Sequence, residues 1–204
     1  MTIDDLAAAR FVPVIRASQA RKALVAARAL LRGGCKAVEI TYTTPGASEV
    51  IAELAADGHL VGAGTILDLH QAEIAWTAGA AFLVSPHFEP SVVAVGLASG
   101  RLVIPGALTP SEALAAFTAG ARTVKIFPVE SLGGPRYLKL LRDPLPFLRF
   151  FPTGGVTLAD APAYLANGAV AVGVGTALAP ADAIEGGDEA RLVQLAREWA
   201  AALL

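Results

Sequence analysis

Four segments of the chain share one form, and their spacing limits the fold more than any other feature. They are Gly34-Cys35-Lys36-Ala37-Val38-Glu39, Gly79-Ala80-Ala81-Phe82-Leu83-Val84, Gly120-Ala121-Arg122-Thr123-Val124-Lys125 and Gly168-Ala169-Val170-Ala171-Val172-Gly173. Each begins with a glycine suited to ending a helix, where positive φ is tolerated, and runs into an apolar segment that reads as a strand. They recur every roughly 40–50 residues, the length of two strand–helix units. Between them lie further apolar runs and alanine- and leucine-rich helical stretches.

The strands are predicted at Phe11–Arg16, Ala37–Thr41, Leu60–Gly64, Phe82–Ser85, Leu102–Pro105, Thr123–Phe127, Arg149–Pro152 and Ala171–Gly175. The four glycine-led repeats then mark the second, fourth, sixth and eighth. Their apolarity is continuous rather than alternating, as expected of parallel strands covered by helices. Eight such units closing on themselves give a single (β/α)₈ TIM barrel over residues 1–204, with a short helix at Ile3–Ala9 ahead of the first strand. An open doubly wound sheet is the alternative, but no Gly-x-Gly-x-x-Gly follows the first strand.

The composition narrows the class of function. The chain is 54% hydrophobic and 17% charged with a net charge of −2, which excludes a disordered chain and gives no footprint for nucleic acid or an anionic membrane. Gly, Pro or a charge interrupts every apolar run before membrane-spanning length. Cys35 is the single cysteine, and the opening lacks the positive segment of a secretion signal, so a cytoplasmic location is expected. An excess of arginine over lysine, with few Asn, Cys and Met, resembles a thermostable protein.

Lys125 is the lysine that stands inside a buried-strand run. Burial lowers an ammonium's pKa and makes the amine a usable nucleophile. Glu39 and Lys125 each lie five residues beyond their glycine, and equivalent positions on alternate strands share one layer of side chains inside a barrel. They form either a structural ion pair or a nucleophile beside its proton shuttle. Pro152-Thr153-Gly154-Gly155-Val156 and Gly173-Val174-Gly175-Thr176 end the seventh and eighth strands, where such barrels bind phosphate through glycine amides. Arg16, closing the first strand, could grip a carboxylate or pair with a neighbouring loop. His59 and His70 are expected to face solvent and His87 to line the opening. Their spacing fits no zinc centre, so no metal is expected. The chain has no Gly-x-Ser-x-Gly elbow, and Cys35 precedes its strand, so serine and cysteine nucleophiles are set aside.

Val12-Pro13-Val14-Ile15-Arg16, Val38-Glu39-Ile40-Thr41, Gly62-Ala63-Gly64-Thr65, Ser85-Pro86, Pro105-Gly106, Lys125-Ile126-Phe127-Pro128 and Pro152-Thr153-Gly154-Gly155 occur in one order over nearly the whole chain. In that order they resemble the class I 2-keto-3-deoxy-6-phosphogluconate (KDPG) aldolases, including those that cleave 4-hydroxy-2-oxoglutarate. The resemblance implies a homotrimer of (β/α)₈ barrels acting on a phosphorylated 2-keto acid and releasing pyruvate, with no cofactor beyond an imine on Lys125. It implies Glu39 as the proton-transfer carboxylate, Thr65 and Thr153 near the pyruvyl part, and Gly154, Gly155, Gly175 and Thr176 around the phosphate. One departure stands out: many such aldolases carry an arginine just after the Val-Glu-x-Thr strand, where this chain has Tyr42-Thr43-Thr44. Arg16 at the end of strand one is the arrangement of the related 6-phosphogalactonate aldolases, which leaves the carbon-4 epimer open. A phosphate-binding barrel isomerase or synthase without an imine lysine, and a non-catalytic binding barrel, are the rival functions.

Overall fold

The computed structural model describes residues 1–204. Helix α1 (Ile3–Ala9) opens on a capping box, in which Thr2 and Asp5 each satisfy the other's backbone N–H. Strands and helices then alternate: β1 (Phe11–Ile15), α2 (Ala20–Arg32), β2 (Ala37–Thr41), α3 (Ala47–Ala56), β3 (Leu60–Gly64), α4 (Leu69–Thr77), β4 (Phe82–Val84) and α5 (Pro90–Ser99). The second half contains β5 (Leu102–Ile104), β6 (Gly106–Ala107), α6 (Pro110–Thr118), β7 (Thr123–Ile126), α7 (Gly134–Arg142), β8 (Arg149–Pro152), α8 (Ala161–Ala166), β9 (Val172–Val174), α9 (Ala181–Gly186) and α10 (Glu189–Leu203).

Every strand pairing is parallel. Six strands run in the order β5-β4-β3-β2-β1-β9 and curl as a half-barrel, while β6-β7-β8 form a second sheet. The expected fifth strand is divided because Pro105 has no N–H to continue the ladder. Its carbonyl still accepts from the Lys125 N–H at 2.8 Å, which keeps β7 alongside. Between β8 and β9 the contact is reduced to two bridge pairs, Phe150 with Ala169 and Thr153 with Gly173.

The glycine-led repeat has the backbone it requires: Gly34, Gly79, Gly120 and Gly168 have φ of 109°, 93°, 103° and 90°. Each turns the chain out of a helix and into the next strand. The strands then sort their residues by parity. One parity packs outward against the helices in the main core, which includes Phe11, Ile40, Val61, Leu83, Val124 and Phe150. The other parity fills the interior with Val12, Ala37, Phe82, Val84, Leu102, Ile104, Phe151 and Ala171, closed from below by Leu6 and Ala9 of α1. Glu39 lies one inward step above Ala37, so it emerges on top of this plug. The interior below is apolar and packed, which leaves only the C-terminal strand ends open for chemistry. No helix is long and apolar enough to cross a membrane.

Candidate active site

A cavity of about 1020 Å³ opens at the C-terminal ends of the strands. The residues assigned to catalysis and substrate binding from the sequence all line it: Lys125 and Glu39, Arg16, Thr65, Thr153, Gly154, Gly155, Gly175 and Thr176. Glu39 is fully buried and Lys125 is 5% exposed. The expected common layer is therefore one shared cavity wall, with Glu39 paired in register to Val14 and Gly62, and Lys125 to Gly106 and Phe151.

Space for the carboxylate comes from β3. A Cβ on Gly64 would lie 1.9 Å from Glu39 Oε1, so any side chain there would expel the acid from its position. Both Glu39 oxygens are buried without a hydrogen-bond partner. That is costly and argues against a structural ion pair, whose purpose would be to satisfy them. Burial is the largest influence on both groups. It raises the Glu39 pKa, against the opposing pull of Lys125 and Arg16. It lowers that of Lys125, assisted by the Arg16 charge and opposed by Glu39. Both shifts favour the uncharged forms, a neutral amine beside a carboxylic acid.

Arg16 is fixed by a chain of hydroxyls. Its Nε donates to Thr43 Oγ1 at 2.9 Å, Thr43 and Thr41 Oγ1 lie 2.9 Å apart, and Thr41 donates to the Ile15 carbonyl at 3.0 Å. Because Thr41 spends its proton on Ile15, Thr43 must donate to Thr41 and accept from Arg16. The arginine thus pairs with a neighbouring loop and lines the cavity at once. Thr65 has φ of 57°, an outlying conformation for a β-branched residue, at the end of β3. Opposite, Gly154 and Gly155 have φ of 91° and 82° in succession. The N–H groups of Gly154, Gly155, Gly175 and Thr176 donate to nothing within the chain, leaving a nest of free donors at the cavity edge.

The lining residues given no role by sequence reasoning include Thr43, Phe127, Glu130 and Glu185. Thr43 stands where the arginine was missed, and that was its only signal. Glu130 lies against Gly155, where a Cβ would come within 2.1 Å of its Oε2. Glu185 accepts from Lys22 Nζ at 2.7 Å and from the Ser18 N–H at 2.7 Å, which hold it down to a pKa of about 2. It ties α9 to the loop after β1. His87 does not line the cavity: it is exposed, with Nδ1 3.3 Å from Ser85 Oγ, and only its neighbour Pro86 reaches the wall. His59 and His70 are exposed as expected. Cys35 is buried and its thiol is pushed up to about 12 by burial, an inert group far from nucleophilic. No cluster of three or more His, Cys, Asp or Glu side chains is placed to hold a metal ion.

The family described as KDPG and KHG aldolase matches residues 3–195. The chain belongs to that family. The 2-dehydro-3-deoxy-phosphogluconate aldolase of Treponema pallidum is 38% identical to this aldolase over 191 residues, covering 93% of this chain and 91% of its own. Among solved structures, the KDPG aldolase of Legionella pneumophila, with pyruvate captured as a covalent carbinolamine, superposes with a TM-score of 0.89 at 30% identity, covering 97% of each chain. The KDPG aldolase of Zymomonas mobilis ZM4, with 3-phosphoglycerate, gives 0.89 at 32% identity over 98% of this chain and 95% of its own. The expectation of a carbon–carbon lyase stands with that membership.

Proposed function

We propose that this aldolase cleaves 2-keto-3-deoxy-6-phosphogluconate to pyruvate and glyceraldehyde 3-phosphate through an imine on Lys125, with Glu39 carrying the protons. Cleavage of 4-hydroxy-2-oxoglutarate to pyruvate and glyoxylate would follow the same course. The observation that carries the reading is the pairing of a buried amine with a buried, unpartnered acid on one cavity wall.

The electrostatics give the order of steps. Neutral Lys125 attacks the ketone to form a carbinolamine. Protonated Glu39 gives its proton to the carbinolamine hydroxyl, water leaves, and the site holds an iminium beside a carboxylate. Glu39 then takes the proton of the carbon-4 hydroxyl. The bond between carbons 3 and 4 breaks, its electron pair passes into the iminium to give a neutral enamine, and the aldehyde departs. Glu39 returns its proton to carbon 3. Water adds to the resulting iminium, and pyruvate leaves with Lys125 neutral again. One water is released and one consumed, and the pair alternates between two neutral groups and two opposite charges. No cofactor is required by this sequence of steps.

Arg16 is assigned to the substrate carboxylate, and the free N–H groups of Gly154, Gly155, Gly175 and Thr176 to the phosphate, with Thr65 and Thr153 beside the pyruvyl carbons. The strained Thr65 supports a functional role for its hydroxyl. Thr43→Val removes the acceptor for Arg16 Nε. It is expected to raise KM for the keto acid by roughly 10–150-fold, a hydrogen bond to a charged group being worth about 1.5–3 kcal/mol, with kcat little changed; Thr43→Ser should restore it. Steady-state kinetics on the two variants checks this.

The reactive state is the pair with no net charge. The pH profile of kcat/KM should therefore be a bell: activity is lost on the acid side as the pair gains a proton and on the alkaline side as it loses one. With Lys125 lowered, the acid limb must fall well below the ordinary lysine range. A plateau reached only near the pKa of a free amine would contradict the assignment.

Arg16 immediately after β1, in place of an arginine after β2, favours testing 2-keto-3-deoxy-6-phosphogalactonate as the alternative substrate. A panel of carbon-4 epimers, with and without phosphate, decides between them. We further propose a closed (β/α)₈ barrel spanning residues 1–204, supported by the two bridge pairs between β8 and β9 and by the Pro105 carbonyl bonded to β7. A homotrimer is supported by exposed Leu67, Leu69 and Ile74 around α4, and light scattering would read the mass. A free, buried single cysteine suits a cytoplasmic setting.

A further inference from the structure

The stretch that holds Lys125 continues into Phe127, whose ring the reaction above does not use. Phe127 lies two residues beyond the lysine and so on the same side of the chain. It is 38% exposed and is the aromatic residue of a cavity wall otherwise made of glycine, hydroxyl, charged and small apolar groups. A large apolar ring left open there forgoes the burial that normally decides where phenylalanine goes. Its face is turned to the amine: Lys125 Nζ lies 4.9 Å from the ring centroid. The position is built rather than incidental, since a Cβ on Gly154 would come within 3.0 Å of Phe127 Cδ2.

We propose that Phe127 is a catalytic residue, its ring face stabilising the positively charged iminium on Lys125 through a cation–π interaction. The inference rests on the imine reading given above. An aromatic face is attractive to a cation within about 6 Å of its centroid and is more so where water is excluded. Of the states the site passes through, the amine, carbinolamine and enamine are neutral, and the iminium alone is cationic. The ring therefore favours dehydration and the electron sink for carbon–carbon cleavage over the neutral states, which is differential stabilisation rather than uniform binding. Leucine would fill the same space without this effect. The ring also favours the ammonium of the free protein, an effect that burial of Lys125 opposes.

The test replaces Phe127 in the full chain with a series of phenylalanines carrying one, two and three ring fluorines, which change size little and weaken the ring's negative face stepwise. Two quantities are read: kcat for aldol cleavage, and the yield of borohydride-trapped adduct at a fixed subsaturating pyruvate concentration. The expected result is a graded fall in both across the series, about 2–30-fold in total, with Phe127→Leu as low as the most fluorinated member. A packing role would leave the series flat. Flat kinetics with normal adduct on Lys125 would overturn the role of the ring and leave the imine reading intact. Absence of any adduct in the unmodified protein would overturn both.

Discussion

Lys125→Ala should lose turnover by about 10⁶-fold, the scale on which removing the nucleophile of a covalent mechanism costs an enzyme. Nothing else in the cavity can take its place. The other cation on the wall, Arg16, is held to Thr43 and cannot surrender a proton near neutral pH. Lys125→Arg should fail to the same degree, because it keeps a positive charge and supplies no nucleophile. The fold should survive Lys125→Ala, since a buried amine without an ion-pair partner contributes little to it. Kinetics and thermal unfolding on the same preparations separate loss of chemistry from loss of structure.

Glu39→Gln comes second, with a fall of about 10²–10⁴-fold in kcat, the usual contribution of a general acid–base group. The amide fills the same pocket against Gly64 but can neither give up nor accept the proton. Trapping with pyruvate should persist at a slower rate, because Lys125 keeps its burial. Glu39→Met tests the cost of the acid to the fold. Removing two buried oxygens that lack partners should stabilise the protein by about 1–3 kcal/mol, a rise in Tm of roughly 2–10 °C for a chain of this size. A variant that is inactive and more stable is the signature of a group retained for chemistry. Unchanged activity in Glu39→Gln would remove it from the mechanism.

Much of this arrangement was legible because parallel strands write themselves plainly. Ala37–Thr41 and Leu60–Gly64 have the bounds that continuous apolarity and flanking glycines predict. Glu39 and Lys125 were brought together by counting from equivalent glycines, which works only because each unit repeats the same turn. The less legible parts are short or irregular. Helix α9 has six residues, and the 3₁₀ turn Glu130–Leu132 has three, too few for a helical period to register. Pro105 was placed at a strand end, yet the chain resumes pairing just beyond it.

The site follows the same division. Residues on strands could be placed by parity, whereas Thr43, Glu130 and Glu185 reach the cavity from segments whose course depends on tertiary contacts. Ser18 and Lys22 hold Glu185 across more than 160 positions of sequence, a relation that no local pattern carries. His87 shows the opposite error. It follows a strand end, but it is exposed, with Nδ1 against Ser85 Oγ, and does not line the cavity.

Sodium borohydride reduction in the presence of pyruvate, followed by peptide mass mapping, reaches the central claim most directly. An irreversible adduct of one reduced pyruvyl group on the peptide containing Lys125, absent without pyruvate and absent in Lys125→Ala, is the predicted result. A reduced adduct on Lys22, Lys36 or Lys139, or none at all while aldol cleavage proceeds, would contradict it.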